Sequence, residues 1–159
     1  MKFSLKNILA KRKSNDFANS GFLSGIIAGI VLGIFAFITT MLSKESMLKE
    51  LSATIEDSGI AIPYGADTLY LISLIITPCV IVLICSIIGL FFGLVYKKTK
   101  HKNPIKVYLF GIIFGAILGS ISSFPANITT IIIVNILAWL MFSIVFINLT
   151  SKMKYDEKK

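Results

Sequence analysis

Residues 21–33 read GFLSGIIAGIVLG, with Gly21, Gly25, Gly29 and Gly33 four residues apart. In a water-soluble helix each glycine costs about 1 kcal/mol against alanine. Inside lipid, apolar burial gives helices no drive to associate, and a row of small residues lets two backbones approach and pack instead. The spacing returns as Gly89 and Gly93, then as Gly111, Gly115 and Gly119. These nine positions are the candidate helix-packing residues of a glycine-zipper pattern, and they identify an all-α, polytopic membrane protein.

The rest of the chain agrees with that reading. Of 159 residues, 55% are hydrophobic and the mean hydropathy is +0.85. Charged residues make up 15%, well under the quarter usual in soluble domains. They are also segregated. The charge-free gaps are 27 residues after Asp16, 29 after Asp67 and 45 after Lys106. One crossing takes about 20 apolar residues, so the first two gaps hold one span each and the third holds two.

The expected organisation is a single membrane domain over 1–159. A basic cytoplasmic segment, 1–20, precedes the first span at 21–43. That segment reads as a short basic helix on the membrane surface or as a tail, with Asn19 or Ser20 capping the span. An outer loop over 44–67 contains a short amphipathic helix near 45–57, marked by Met47, Leu48, Leu51 and Ile55. The second span covers 68–96, with Asp67 as its cap and Pro78 inside it, where a kink is expected. A basic inner loop follows at 97–103. Spans three and four cover 104–124 and 127–149, with Asn103 before Pro104 and Asn127 as caps. A cytoplasmic tail fills 150–159.

Orientation follows from the basic residues. With the N-terminus inside, the inner segments hold 5, 5 and 4 of them and the outer loops 2 and 0. That bias places both termini in the cytoplasm of a multi-pass cell-membrane protein and argues against a dual-topology transporter. The net charge of +8 is therefore topology and contact with anionic headgroups at the inner face. Nucleic acid is not implied. A possible parallel repeat of two helices is visible, since GIIAGIVLG at 25–33 and GIIFGAILG at 111–119 agree at six of nine positions.

Chemistry is absent from the spans. Apart from Lys106 at the inner end of span three, no Asp, Glu, Lys, Arg or His lies within one; ion carriers usually keep such a group at membrane depth, and intramembrane hydrolysis needs a base or metal ligands there. His101 lies among lysines. Cys79 and Cys85 are six residues apart, on different faces of a helix, and no zinc spacing exists. Asn127-Ile128-Thr129 matches a glycosylation acceptor but abuts the membrane. No catalytic residue, metal or cofactor is expected.

What remains is a set of small polar groups. Thr39, Thr77, Ser120, Ser123 and Asn135 are candidates to line a cavity open to the outside. The simpler reading is that the hydroxyls bond their own helical carbonyls and that Asn135 links two helices. Trp139, in mid-span, is expected to pack against another helix or subunit. Placed by depth, the ladders predict that spans one to three close together on the lysine-bearing side. The function so read is that of a non-enzymatic integral membrane protein acting through helix–helix contacts, an accessory subunit or small immunity-type protein. It would sit as a homo-oligomer or within a larger membrane complex. The alternative is a small oligomeric channel or transporter for a neutral or apolar solute.

Overall fold

A computed structural model describes residues 5–58, 65–98, 103–121 and 126–156. The described residues form five helices: α1 (Leu5–Leu42), α2 (Lys44–Ser58), α3 (Ala66–Lys98), α4 (Pro104–Ile121) and α5 (Ile128–Asp156). Four of them are long and apolar enough to cross a membrane, over Asp16–Leu42, Ala66–Lys98, Pro104–Ile121 and Ile128–Ser151.

Two boundaries differ from expectation. Neither Asn19 nor Ser20 caps a helix. α1 begins at Leu5 and passes through both without a break. Residues 5–20 contain no Gly or Pro, so nothing stops the helix from propagating out of the span. Ser20 turns its hydroxyl inward to the Asp16 carbonyl, 2.9 Å away. The segment 1–20 is thus in large part a direct extension of the first span. α5 likewise continues past Leu149 to Asp156, where no breaker stands. Asp67 sits in the first turn of α3, where its charge complements the positive helix end. The carbonyl that accepts the first bonds, from the Thr68 and Leu69 amides, is that of Gly65.

The other caps follow the sequence. The Asn103 side-chain oxygen accepts from the Ile105 amide at 2.9 Å, and that of Asn127 from the Thr129 amide at 2.9 Å. α2 occupies the place of the amphipathic helix and packs along α3. Pro78 is accommodated within the continuous α3.

The membrane helices lie in the order α3–α1–α5–α4. α1 packs against α3 and α5, and α4 packs against α5. Among the described residues no Cα of α3 comes within 8 Å of a Cα of α4. The contact of α4 with α5 corrects the expected convergence of spans one to three. The glycines of α4 turn to α5, which carries no glycine, while those of α1 turn to α3. A glycine lets any backbone come close, so a seam needs small residues on one side only.

The core between the helices is aromatic. Phe17, Trp139, Phe142 and Phe146 are buried with Ala28, Leu32, Cys85, Val107 and Ala138. Phe92 of α3 stacks on Phe110 of α4 with ring centroids 4.3 Å apart, and meets Phe146 edge-on at 5.2 Å. Tyr96 bridges Phe17 of α1 at 6.3 Å and Phe146 of α5 at 5.1 Å. These contacts bring the lysine-bearing ends of α1, α3, α4 and α5 to one end of the bundle.

Candidate functional site

Close backbone approaches lie along two seams, and every ladder glycine is in one of them. In the first, α1 and α3 run antiparallel. A β-carbon on Gly21 would overlap the Gly89 carbonyl, one on Gly89 the Gly21 carbonyl, one on Gly93 the Phe17 carbonyl, and one on Gly25 the Cys85 carbonyl. Further along, a β-carbon on Gly29 would lie 2.7 Å from Val82 Cα, and on Gly33 3.3 Å from the Pro78 carbonyl oxygen. The seam is tightest near the lysine-bearing end and relaxes toward Pro78.

In the second seam α4 meets α5. A β-carbon on Gly111 would fall 2.6 Å from the Trp139 carbonyl oxygen, on Gly115 2.8 Å from that of Asn135, and on Gly119 2.7 Å from Ile132 Cα. The Ser143 hydroxyl lies 2.9 Å from two acceptors, the Trp139 carbonyl of its own helix and the Val107 carbonyl of α4. Both partners are buried.

Ser143 was not among the residues singled out from the sequence. The signal was its spacing: Asn135, Trp139 and Ser143 recur every four residues on one face. A second signal sits on α1, where Ser20, Ser24, Ala28, Leu32, Ala36 and Thr40 form another four-residue series beside the glycines. All six are buried. Two adjoining small-residue stripes are what a helix with two close neighbours needs.

The candidate cavity residues are dispersed. The Thr39 hydroxyl donates to the Phe35 and Ala36 carbonyls at 3.0 and 3.1 Å. Ser120 donates to the Ala116 carbonyl at 2.9 Å and is exposed on the outside of α4. The Asn135 amide is buried against the α4 glycines and donates to Ile131 of its own helix at 3.0 Å, not to a neighbouring helix. Thr77 is half-buried on α3, and Ser123 lies outside the described residues. The same local pattern holds for Ser24, Ser73, Ser86 and Thr150.

A lateral groove of about 300 Å³ does exist between α1 and α3, lined by Ile30, Gly33, Ile34, Phe37, Pro78, Cys79 and Val82. It contains none of the five polar candidates. At the opposite end from the lysines, the Tyr70 hydroxyl reaches the Thr40 carbonyl at 3.4 Å, and the Lys44 ammonium lies 5.8 Å from the centre of the Tyr70 ring. These contacts fasten α2 and α3 to the end of α1.

Trp139 packs within the protein, as expected of a mid-span indole. It is fully buried, edge-on to Phe114 at 4.7 Å, and its indole N–H has no hydrogen-bond partner. Among the described residues no group of three His, Cys, Asp or Glu could hold a metal ion. No family model matches the chain, and no curated protein or solved structure is significantly similar to it.

Proposed function

We propose that the chain is a non-enzymatic, multi-pass protein of the cell membrane that works through helix contacts, as an accessory subunit or small immunity-type protein. One observation carries this reading. Among the described residues Thr39, Ser86 and Ser120 donate to carbonyls of their own helices, which favours local bonding over a shared polar path, and no Asp, Glu, Lys, Arg or His lies between the charge-free limits of the spans. A protein of this kind meets its partners through exposed apolar helix faces, and α3 and α4 present such faces over most of their length.

The basic residues support an orientation with both termini inside and headgroups of anionic lipids around the lysine-bearing end. The two seams support a glycine zipper in each half and a parallel repeat, because α1 and α4 each close on the spanning helix that follows. The channel or transporter reading keeps one observation in its favour, the apolar groove at Gly33 and Pro78, which would suit an apolar solute.

Reconstitution separates the two readings. Liposomes containing the chain are expected to pass glycerol and a small apolar dye no faster than empty ones. Flux that Thr39→Val or Gly33→Leu abolishes would establish transport instead. Orientation is read independently. A cysteine at Ala66→Cys should react with an impermeant maleimide from outside and one at Lys100→Cys only from inside, and the reverse pattern overturns the topology.

A further inference from the structure

The α3–α4 contact differs from both seams: the two backbones stay apart and ring stacking fills the space. Lysines stand above it. Lys98 lies six residues beyond Phe92, about 9 Å along α3, and Lys106 lies one turn before Phe110, about 6 Å along α4. Phe92 and Phe110 stack at 4.3 Å, so the lysines rise from one level at the same end of the bundle. Lys97, Lys98 and Lys106 are all exposed.

Directly below them the surface is apolar. Phe91, Val95 and Lys98 share one exposed stripe of α3 at helical spacing, with Phe91 61% and Val95 62% exposed. On α4, Leu109 is 54% exposed, one turn below Lys106. A ligand matching this surface is anionic at one end and apolar at the other, with the charge at headgroup depth and the apolar part running along the helices. Among biological amphiphiles that is an anionic phospholipid. Basic recesses between membrane helices on the cytoplasmic side take such headgroups.

We infer that the end of the α3–α4 contact is a binding site for one anionic phospholipid. Its phosphate lies between Lys98 and Lys106, with Lys97 beside them, and its acyl chains lie over Phe91, Val95 and Leu109. This rests on the membrane orientation proposed above and narrows general headgroup contact to one place.

The test is lipid retention. The full chain is reconstituted in nanodiscs of equal parts phosphatidylglycerol and phosphatidylcholine, released into mild detergent, and its bound lipid identified by native mass spectrometry. The unaltered chain is expected to keep phosphatidylglycerol at least about tenfold over phosphatidylcholine, given three lysines at the surface. The combined Lys97→Gln, Lys98→Gln, Lys106→Gln variant should fall to within about twofold. Lys44→Gln with Lys49→Gln, at the other end, should change nothing. Should the triple variant fail to fold, Lys106→Gln alone must still lower the preference, and in the unaltered chain the preference must weaken as salt screens the headgroup. Equal retention in triple variant and parent, or a preference indifferent to salt, overturns the site. Carbonate extraction is run alongside. A chain that stays in the membrane without lipid preference refutes the site alone, whereas one that is extracted refutes the membrane reading beneath it.

Discussion

Alanine placed along the α1–α3 seam should give a graded response. The strain differs at each position while the helix-propensity gain is constant, about 1 kcal/mol for glycine to alanine. At Gly33 the new β-carbon would sit 3.3 Å from the Pro78 carbonyl oxygen and 3.5 Å from its Cα, so the Pro78 backbone must give by a few tenths of an ångström. That adjustment offsets part of the gain, and Gly33→Ala should fall between neutral and about 0.5 kcal/mol stabilised. At Gly29 the nearest atom is Val82 Cα at 2.7 Å. Carbon atoms pack at about 3.5–4.0 Å, so the helices must part by about 1 Å and lose a quarter to a half of the dispersion at neighbouring contacts. Overpacking costs about 1–3 kcal/mol, which leaves Gly29→Ala destabilised by about 1 kcal/mol after the propensity gain. At Gly25 the β-carbon would overlap the Cys85 carbonyl and lie 2.9 Å from Ser86 Cα. Gly25→Ala should therefore lose about 2 kcal/mol, the top of the overpacking range less the gain. The assay is unfolding in mixed micelles of rising SDS fraction, followed by Trp139 fluorescence and by the modification rate of Cys85, whose β-carbon adjoins Gly29. If Gly25→Ala is as stable as the parent, or if Gly33→Ala is the worst of the three, the backbone contact described here does not exist.

Other consequences are quick to check. Gly115→Leu should destabilise the α4–α5 pair in the same micelle titration, because any side chain there meets the Asn135 carbonyl oxygen and Ile136 Cα at 2.8 Å. Ser143→Ala removes a hydrogen bond between helices and should cost about 0.6 kcal/mol, whereas Ser120→Ala, exposed and bonded locally, should cost nothing measurable. Cys79 is exposed and Cys85 buried. N-ethylmaleimide should add once to the native protein in detergent and twice after heating in SDS, and two native adducts would contradict the packing around Gly25 and Gly29.

The helices were legible in the sequence because charge cannot enter the hydrocarbon cheaply. The gaps after Asp16, Asp67 and Lys106 therefore located four spans. Helix ends were legible only where a residue stops or starts a helix by its own chemistry, as Asn103, Pro104 and Asn127 do. At Ser20 and Leu149 nothing does, and the helices ran on. Close contact was legible from glycine, but its partner was not. A missing side chain records how near a neighbour comes and not which neighbour it is. Gly111, Gly115 and Gly119 resemble the α1 ladder, yet they face Trp139, Asn135 and Ile132 of a helix without glycine. The polar groups were ambiguous for a related reason. A hydroxyl bonded to its own carbonyl and one aimed into a cavity are written with the same residue, and only the fold tells Thr39 from Ser143.

The two kinds of packing explain each other. Where glycine allows backbones to touch, little space is left for side chains along the contact, as at Gly21 and Gly25 in α1–α3 and at Gly111 and Gly115 in α4–α5. α3 and α4 lie at opposite ends of the row, and their backbones do not meet. The space between them at the lysine-bearing end must be filled by large groups, and Phe92, Tyr96 and Phe110 fill it, with Phe142 and Phe146 closing it from α5. Each pair is interlocked through backbone atoms that cannot move without separating its helices, while α3 and α4 meet through rings. The α1–α5 face is intermediate, with Ser24, Ala28 and Ala36 fully buried beside the glycines. The α3–α4 side beneath Lys98 and Lys106 is therefore closed by rings and not by backbone contact. An anionic lipid held there would sit over ring contacts, where no backbone seam joins the two helices.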